Sequence, residues 1–327
     1  MSGLLPYLLW ALLLAVVALA LGAMAAALAV LLWWAGWTER VSAAKTAPEA
    51  RPAPAGARPA PAERYLVYLS GVGDISGEWI SRYEEAFLAA IAARTPGTAI
   101  VEDVFPFSPT NRGMTSERLL GWFWRWVHAE RVGKGRLRRI GELIDIRNML
   151  HVGVSADYRY GPIYNHGTAE MIARGLLRRG YRLGSGAPVT LMGYSGGAQV
   201  ALGSAGYLKA TLKAPIQVIS LAGIMNSSPA LDWVDRVAHL YGTKDGWLRF
   251  GALIFPARWP IFRSSRWNRA LAAGKIAPIR TGPMVHTGRH SYLDDTATLE
   301  SGESYMAHTA GIIAGLVRDF PAPAPRE

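Results

Sequence analysis

The chain contains no cysteine. Disulfides, thiolate nucleophiles and Cys-ligated zinc are therefore excluded. No cluster of histidines and carboxylates at metal-ligand spacing is present, and no glycine fingerprint for a dinucleotide. Neither a metal nor a cofactor is expected. No nucleic-acid motif accompanies the formal net charge of +11. The excess of Lys and Arg points instead to an anionic membrane surface. Half of the residues are hydrophobic, so a sizeable core is within reach.

The longest absence is one of charge. From Ser2 to Thr38 there is no Asp, Glu, Lys, Arg or His. Leu4 to Trp34 is almost wholly Leu, Ala, Val and Trp. As a helix, Trp10 to Trp33 rises ~34 Å, close to the ~30 Å of a bilayer's hydrocarbon. Tyr7 and Trp10 at one end, with Trp33, Trp34 and Trp37 at the other, match two interfacial belts. A cleaved signal peptide fits less well, because the apolar region is too long and lacks a basic leader. Residues 1–38 are expected to form one transmembrane anchor. Ala18, Gly22 and Ala26 make a small-residue stripe along it. Arg40, Lys45, Arg51, Arg58 and Arg64 follow the span and none precedes it. The positive-inside rule then puts the following domain in the cytoplasm.

Residues 39–62 read as a linker, Pro/Ala-rich from Ala47 to Ala62. Repeated proline favours extended polyproline II, a spacer of ~3.1 Å per residue. Beyond it, in 63–327, strand and helix patterns alternate. Strands are expected at Tyr65 to Ser70, Thr98 to Phe107, Val189 to Met192, Ile216 to Ala222, Arg236 to Tyr241 and Ala277 to Thr281. Helices are expected at Ile80 to Ala93, His166 to Gly180, Gln199 to Lys209 and Ser304 to Val317. This alternation argues for an α/β fold, a mostly parallel sheet with helices on both faces. Insertions fall at about 109–162 and 246–275.

One stretch carries chemistry. Val189 to Met192 runs into Gly193-Tyr194-Ser195-Gly196-Gly197, and a small-residue helical run follows. Gly-x-Ser-x-Gly arises by chance roughly 0.2 times in such a composition, so its strand-to-helix setting carries the weight. A serine thrust from that turn has strained dihedrals, and side chains two residues away on either side would clash. It also sits at a helix N-terminus, where free N–H groups can stabilise an oxyanion. With the Gly-rich loop Gly71-Val72-Gly73-Asp74 after the first strand, and an acid and histidines downstream, residues 63–320 resemble the α/β-hydrolase superfamily. Two features depart from it. No clear strand pair precedes Tyr65, and the main insertion precedes the nucleophile.

The resemblance implies roles in chain order. Ser195 is the expected nucleophile, needing a base to take its proton. Asp245, in a Gly-x-x-Asp-Gly turn after a strand, is the expected orienting acid, ahead of Asp232 and Asp235 in a helix-like segment. Two histidines compete as base. His286 serves if the last strand stops before Pro283; His290 serves if an edge strand tolerates the proline and runs on. His308 reads as helical, and His166 as capping or packing near the site. The oxyanion hole would use the N–H groups of Gly196 and Val72.

Leu119 to Val127 and Trp247 to Trp267 mix aromatics with basic neighbours. That composition suits a headgroup interface or a buried core with a solvated basic face. The expected function is a membrane-anchored serine hydrolase acting on a hydrophobic ester, such as a lipid or other acyl ester. Its partners would be the bilayer and that ester, not nucleic acid. An acyltransferase on the same triad is the enzyme alternative, and an inactive hydrolase-fold membrane scaffold the alternative outside enzymes.

Overall fold

The apolar runs become six strands of one parallel sheet. In the computed structural model, residues 4–35, 59–77, 80–116, 120–133 and 137–320 are described. The strands are β1 (Arg64–Leu69), β2 (Thr98–Val101), β3 (Val189–Tyr194), β4 (Ile216–Leu221), β5 (Arg236–Gly242) and β6 (Ile276–Gly282). Their order is β2-β1-β3-β4-β5-β6, and every pair is parallel. β4 is buried along its whole length, as a strand covered on both faces must be. The described residues show no strand before β1, so β2 forms that edge.

Alternation in β1 divides the core. Tyr65, Val67 and Leu69 point into one apolar cluster with α5 (Gly161–Arg178) and α6 (Gly197–Leu212). Leu66 and Tyr68 point into the other, with α2 (Arg82–Ala92) and α9 (Tyr305–Arg318). The period of two thus places helices on both faces.

Two boundaries differ from expectation by more than three residues, each for a local reason. β2 stops at Val101 instead of running to Phe107. The Asn111 side chain accepts from Phe105 N–H and donates to Asp103 O, taking the place of ladder bonds. α5 begins at Gly161, five residues early, because Pro162 fits the first helical turn. The insertion 109–162 is itself helical, holding α3 (Gly121–Val132) and α4 (Glu142–Ala156). A third small core of Phe105, Phe107, Trp124, Val127, Ile144 and Val152 fixes it to the body.

At the N-terminus, Leu4–Trp34 forms one helix, α1. Several of its side chains lie outside the described residues. Among the described residues no helix is long and apolar enough to cross a membrane. The helix packs on the body, which the sequence reading did not foresee. Ala26 and Val30 are buried in the same cluster as Val154 of α4. A Cβ on Gly22 would come within 3.0 Å of Leu150 on α4. Gly22 and Ala26 of the small-residue stripe therefore meet a helix of their own chain. Residues 39–58 of the expected linker lie outside the described residues.

Candidate active site

The turn between β3 and α6 is as tight as its glycines demand. Ser195 has φ 52°, the left-handed region that non-glycine residues avoid. A Cβ on Gly193 would come within 3.0 Å of Ala198 N. One on Gly197 would come within 3.0 Å of the Leu69 and Ser70 carbonyls. The strain is held by Ser195 N–H donating to Leu221 O at 2.9 Å. Ser195 itself is only 5 % exposed.

The sheet edge supplies the partners. β5 ends at Gly242, and Asp245 follows in a turn closed by its own N–H to Gly242 O, 3.3 Å. β6 ends at Gly282, whose φ of 115° turns the chain out of the sheet. His286 lies four residues beyond. Its Nε2 is 2.8 Å from Ser195 Oγ, and its Nδ1 is 2.9 Å from Asp245 Oδ2. The Asp245 carboxylate is buried. Its Oδ2 also accepts from Tyr292 OH at 3.0 Å, and its Oδ1 from Trp247 N–H at 3.0 Å.

His290 is not brought to Ser195. It closes the same loop: its carbonyl accepts from Val285 N–H at 3.1 Å, and its N–H donates to Asp294 Oδ2 at 2.6 Å. Its ring packs on Tyr305 instead. Asp232 pairs with Arg266 and Asp235 with Lys209, both away from the serine. His308 pairs with Glu303, and His166 sits beside Glu170 and the Tyr207 ring.

The loop after β1 arches over the serine. A Cβ on Gly196 would meet Val72 Cγ1 and Val152 Cγ2, so Val72 and Gly196 adjoin. Neither of their N–H groups donates to a backbone carbonyl among the described residues. Asn148 of α4 clamps this loop. Its Nδ2 donates to Val72 O and Asp74 O, both at 2.7 Å, and its Oδ1 accepts from Arg147.

A cavity of about 1500 Å³ opens onto Ser195 and His286, with Val72, Tyr83, Arg131 and Trp247 also in its wall. Asp74 lies in that wall, and burial, then the charge of Glu84, raises its pKa well above the ordinary carboxylate range. Glu84 is buried but accepts from Tyr68 OH at 2.6 Å and Ser81 Oγ at 2.7 Å. Among the described residues no group of His, Asp and Glu could hold a metal ion.

Four contributors escaped the sequence reading: Tyr292, Tyr194, Trp247 and Asn148. Tyr194 OH donates to His286 O, and its ring stacks beside the imidazole at 5.9 Å. Trp247 lies 5.9 Å from the same ring. Tyr194 stood in the motif and Trp247 directly after Asp245-Gly246, so adjacency could have found both. Tyr292 and Asn148 reach the site only through tertiary structure.

A parallel sheet with helices on both faces, a strained serine between β3 and α6, and the order Ser195, Asp245, His286 define the α/β-hydrolase fold. No family model matches the chain, and no curated protein sequence matches it. Among solved structures, the dienelactone hydrolase of Anabaena variabilis is similar at a TM-score of 0.43 and 14 % identity. That match covers 80 % of this chain and 88 % of the other.

Proposed function

We propose that the protein is a serine hydrolase that cleaves an ester through an acyl-enzyme. The observation that carries this reading is the continuous relay from Ser195 Oγ through His286 to Asp245, at 2.8 and 2.9 Å. His286 Nε2 takes the serine proton as Oγ attacks the ester carbonyl. Asp245, already accepting from Tyr292 and Trp247, holds the imidazole tautomer and offsets the imidazolium charge. The N–H groups of Val72 and Gly196 receive the oxyanion. Collapse expels the alcohol, which takes the proton from His286. Water activated by the same imidazole then releases the acid.

The experiment is labelling with a fluorophosphonate probe. Ser195→Ala abolishes labelling, His286→Ala reduces it by orders of magnitude, and His290→Ala leaves it close to wild type. Labelling that persists in folded Ser195→Ala protein overturns the reading. Transfer of the acyl group to an alcohol other than water is the same chemistry with a different acceptor. Product analysis with added alcohols separates the two.

We also propose that α1 anchors the chain in a membrane, with the catalytic domain cytoplasmic. The support is the charge-free, 31-residue helix and the basic residues after it. Its first 18 residues, Leu4 to Leu21, precede the part packed on the body and rise ~27 Å, close to a hydrocarbon core. Protease added outside intact cells is expected to leave the 39–62 segment uncut. Cleavage there refutes the orientation.

A further inference from the structure

Beyond Asp245 the chain leaves the sheet for α7 (Trp247–Ile254), a short 3-10 turn (Pro256–Arg258) and α8 (Arg266–Ala272). Apolar side chains here face outward: Leu253 is 65 % exposed and Ile261 75 %, with Phe250, Ile254 and Phe262 also exposed. This exposure is built rather than accidental. Gly251 seats α7 closely on Ile224, whose Cγ2 would lie 3.0 Å from a Cβ there. Arg258 stacks on the buried Trp267 at 4.0 Å and donates to Met225 O at 3.1 Å. Trp259 Nε1 donates to Ala252 O, and Asn268 Nδ2 to the carbonyls of Trp259 and Phe262. Polar bonds thus pin the inner side while the apolar side is held out to the surroundings. Contiguous exposed apolar surface of this kind marks an interaction site.

Charge indicates the occupant. Between Asp245 and Asp294 the sequence holds no Asp or Glu, yet it holds Arg258, Arg263, Arg266, Arg269 and Lys275. Of these, Arg266 and Arg269 share one carboxylate, Asp232, so the basic groups outnumber their acidic partner, and apolar side chains beside such a cationic excess fit the boundary between headgroups and acyl chains of an anionic bilayer. Position indicates the purpose. Trp247, the first residue of α7, lines the cavity that contains Ser195 and lies 5.9 Å from the His286 ring. α1 approaches from the neighbouring side. It packs on α4, whose Ala156 O accepts from Asn226 Nδ2, two residues past the Ile224 that seats α7.

We propose that residues 247–262 dock in the surface of an anionic bilayer, a second membrane contact beside α1, and turn the cavity mouth to the lipid. This rests on the anchored-hydrolase reading above and adds to it where the substrate enters: laterally, as an ester resident in the membrane.

The absence of cysteine allows a direct test with single-cysteine variants carrying an environment-sensitive fluorophore. The full-length chain is placed at one copy per nanodisc of phosphatidylcholine and phosphatidylglycerol, with and without nitroxide on the acyl chains. Labels at Leu253→Cys and Ile261→Cys are expected to shift to the blue and lose about half their emission to the nitroxide, as shallowly inserted groups do. A label at Leu183→Cys, an exposed position in the loop that enters β3 at the strand end away from Ser195, stays unquenched. A label at Tyr7→Cys reports α1 separately. Quenching at 7 with none at 253 and 261 overturns the docking and leaves the anchor standing. Quenching at 253 that requires two copies per disc assigns the face to a second copy and overturns the proposal. The Ser195→Ala protein gives the same docking result, so failure of the hydrolase reading would appear separately, in probe labelling.

Discussion

Tyr292→Phe removes one oxygen from the support of the proposed base and nothing else. Tyr292 OH does two things: it accepts from Gly242 N–H at 2.6 Å and donates to Asp245 Oδ2 at 3.0 Å. Burial, then the neighbouring Asp245 charge, raises the phenol pKa, so it stays protonated and remains a donor. The phenylalanine ring fills the same space. Losing a hydrogen bond to a charged acceptor costs about 1.5–3 kcal/mol, and a buried N–H left unpaired costs about 1–3 kcal/mol. Because one hydroxyl serves both groups, the losses overlap, and we expect destabilisation of about 2–4 kcal/mol in urea unfolding. Catalysis should suffer less than from losing the acid. Asp245 keeps His286 on Oδ2 and the Trp247 N–H on Oδ1. A tenfold fall in kcat on a soluble ester, about 1.4 kcal/mol, is expected with KM unchanged. Asp245→Asn, which presents the wrong tautomer, should cost about 10⁴. Wild-type stability and kcat in Tyr292→Phe would refute the assignment of Tyr292 as a positioning residue.

Two further perturbations test other parts of the structure. Gly197→Ala drives a Cβ into the carbonyls of Leu69 and Ser70, at the root of the loop that carries Val72; about 1–3 kcal/mol of stability and about 10²-fold in kcat should be lost. Activity within twofold of wild type would show that the turn relaxes without moving Val72. His239 is buried against Ser220 Oγ, and burial, then Arg258, pushes its pKa down to about 3. Below its ordinary pKa of 6.5 the unfolded chain gains a proton that the folded chain refuses, so stability falls with falling pH, by about 2 kcal/mol between pH 6.5 and 5. His239→Gln should flatten that slope in urea titrations, and an unchanged slope would assign it to other groups.

The sequence disclosed most where one local rule governs. The runs Val189 to Met192 and Ile216 to Leu221 are short, apolar and bounded by turn residues, so their burial in a parallel sheet followed from pattern alone. The turn at Ser195 was legible for a similar reason: its glycines are demanded within five residues. The choice between His286 and His290 was not legible. It depended on where β6 stopped and on the Val285–His290 backbone bond, which ties His290 into its loop. The ambiguous aromatic stretches divided residue by residue. Trp124 and Trp267 are core, while Trp122, Trp126 and Leu253 face outward. Composition cannot make that division, because it turns on which face of a short helix meets the body.

The insertion before the nucleophile proved hardest to read, and it bears directly on the site. As sequence, 109–162 looked like an excursion from the sheet. In the fold, α4 brings Val152 against Gly196 and hangs the Gly71-Val72-Gly73 loop from Asn148 by two bonds of 2.7 Å. A glycine-rich loop has large conformational freedom to lose, so its N–H groups can be preorganised only by an external clamp. Asn148 supplies both donors, and Arg147 fixes the amide by donating to its Oδ1 and to Phe107 O. α1 packs on the outer side of the same helix through Ala26 and Val30. The element that orders the proposed oxyanion hole is therefore also the one that carries the apolar helix, so anchor and site share a single support.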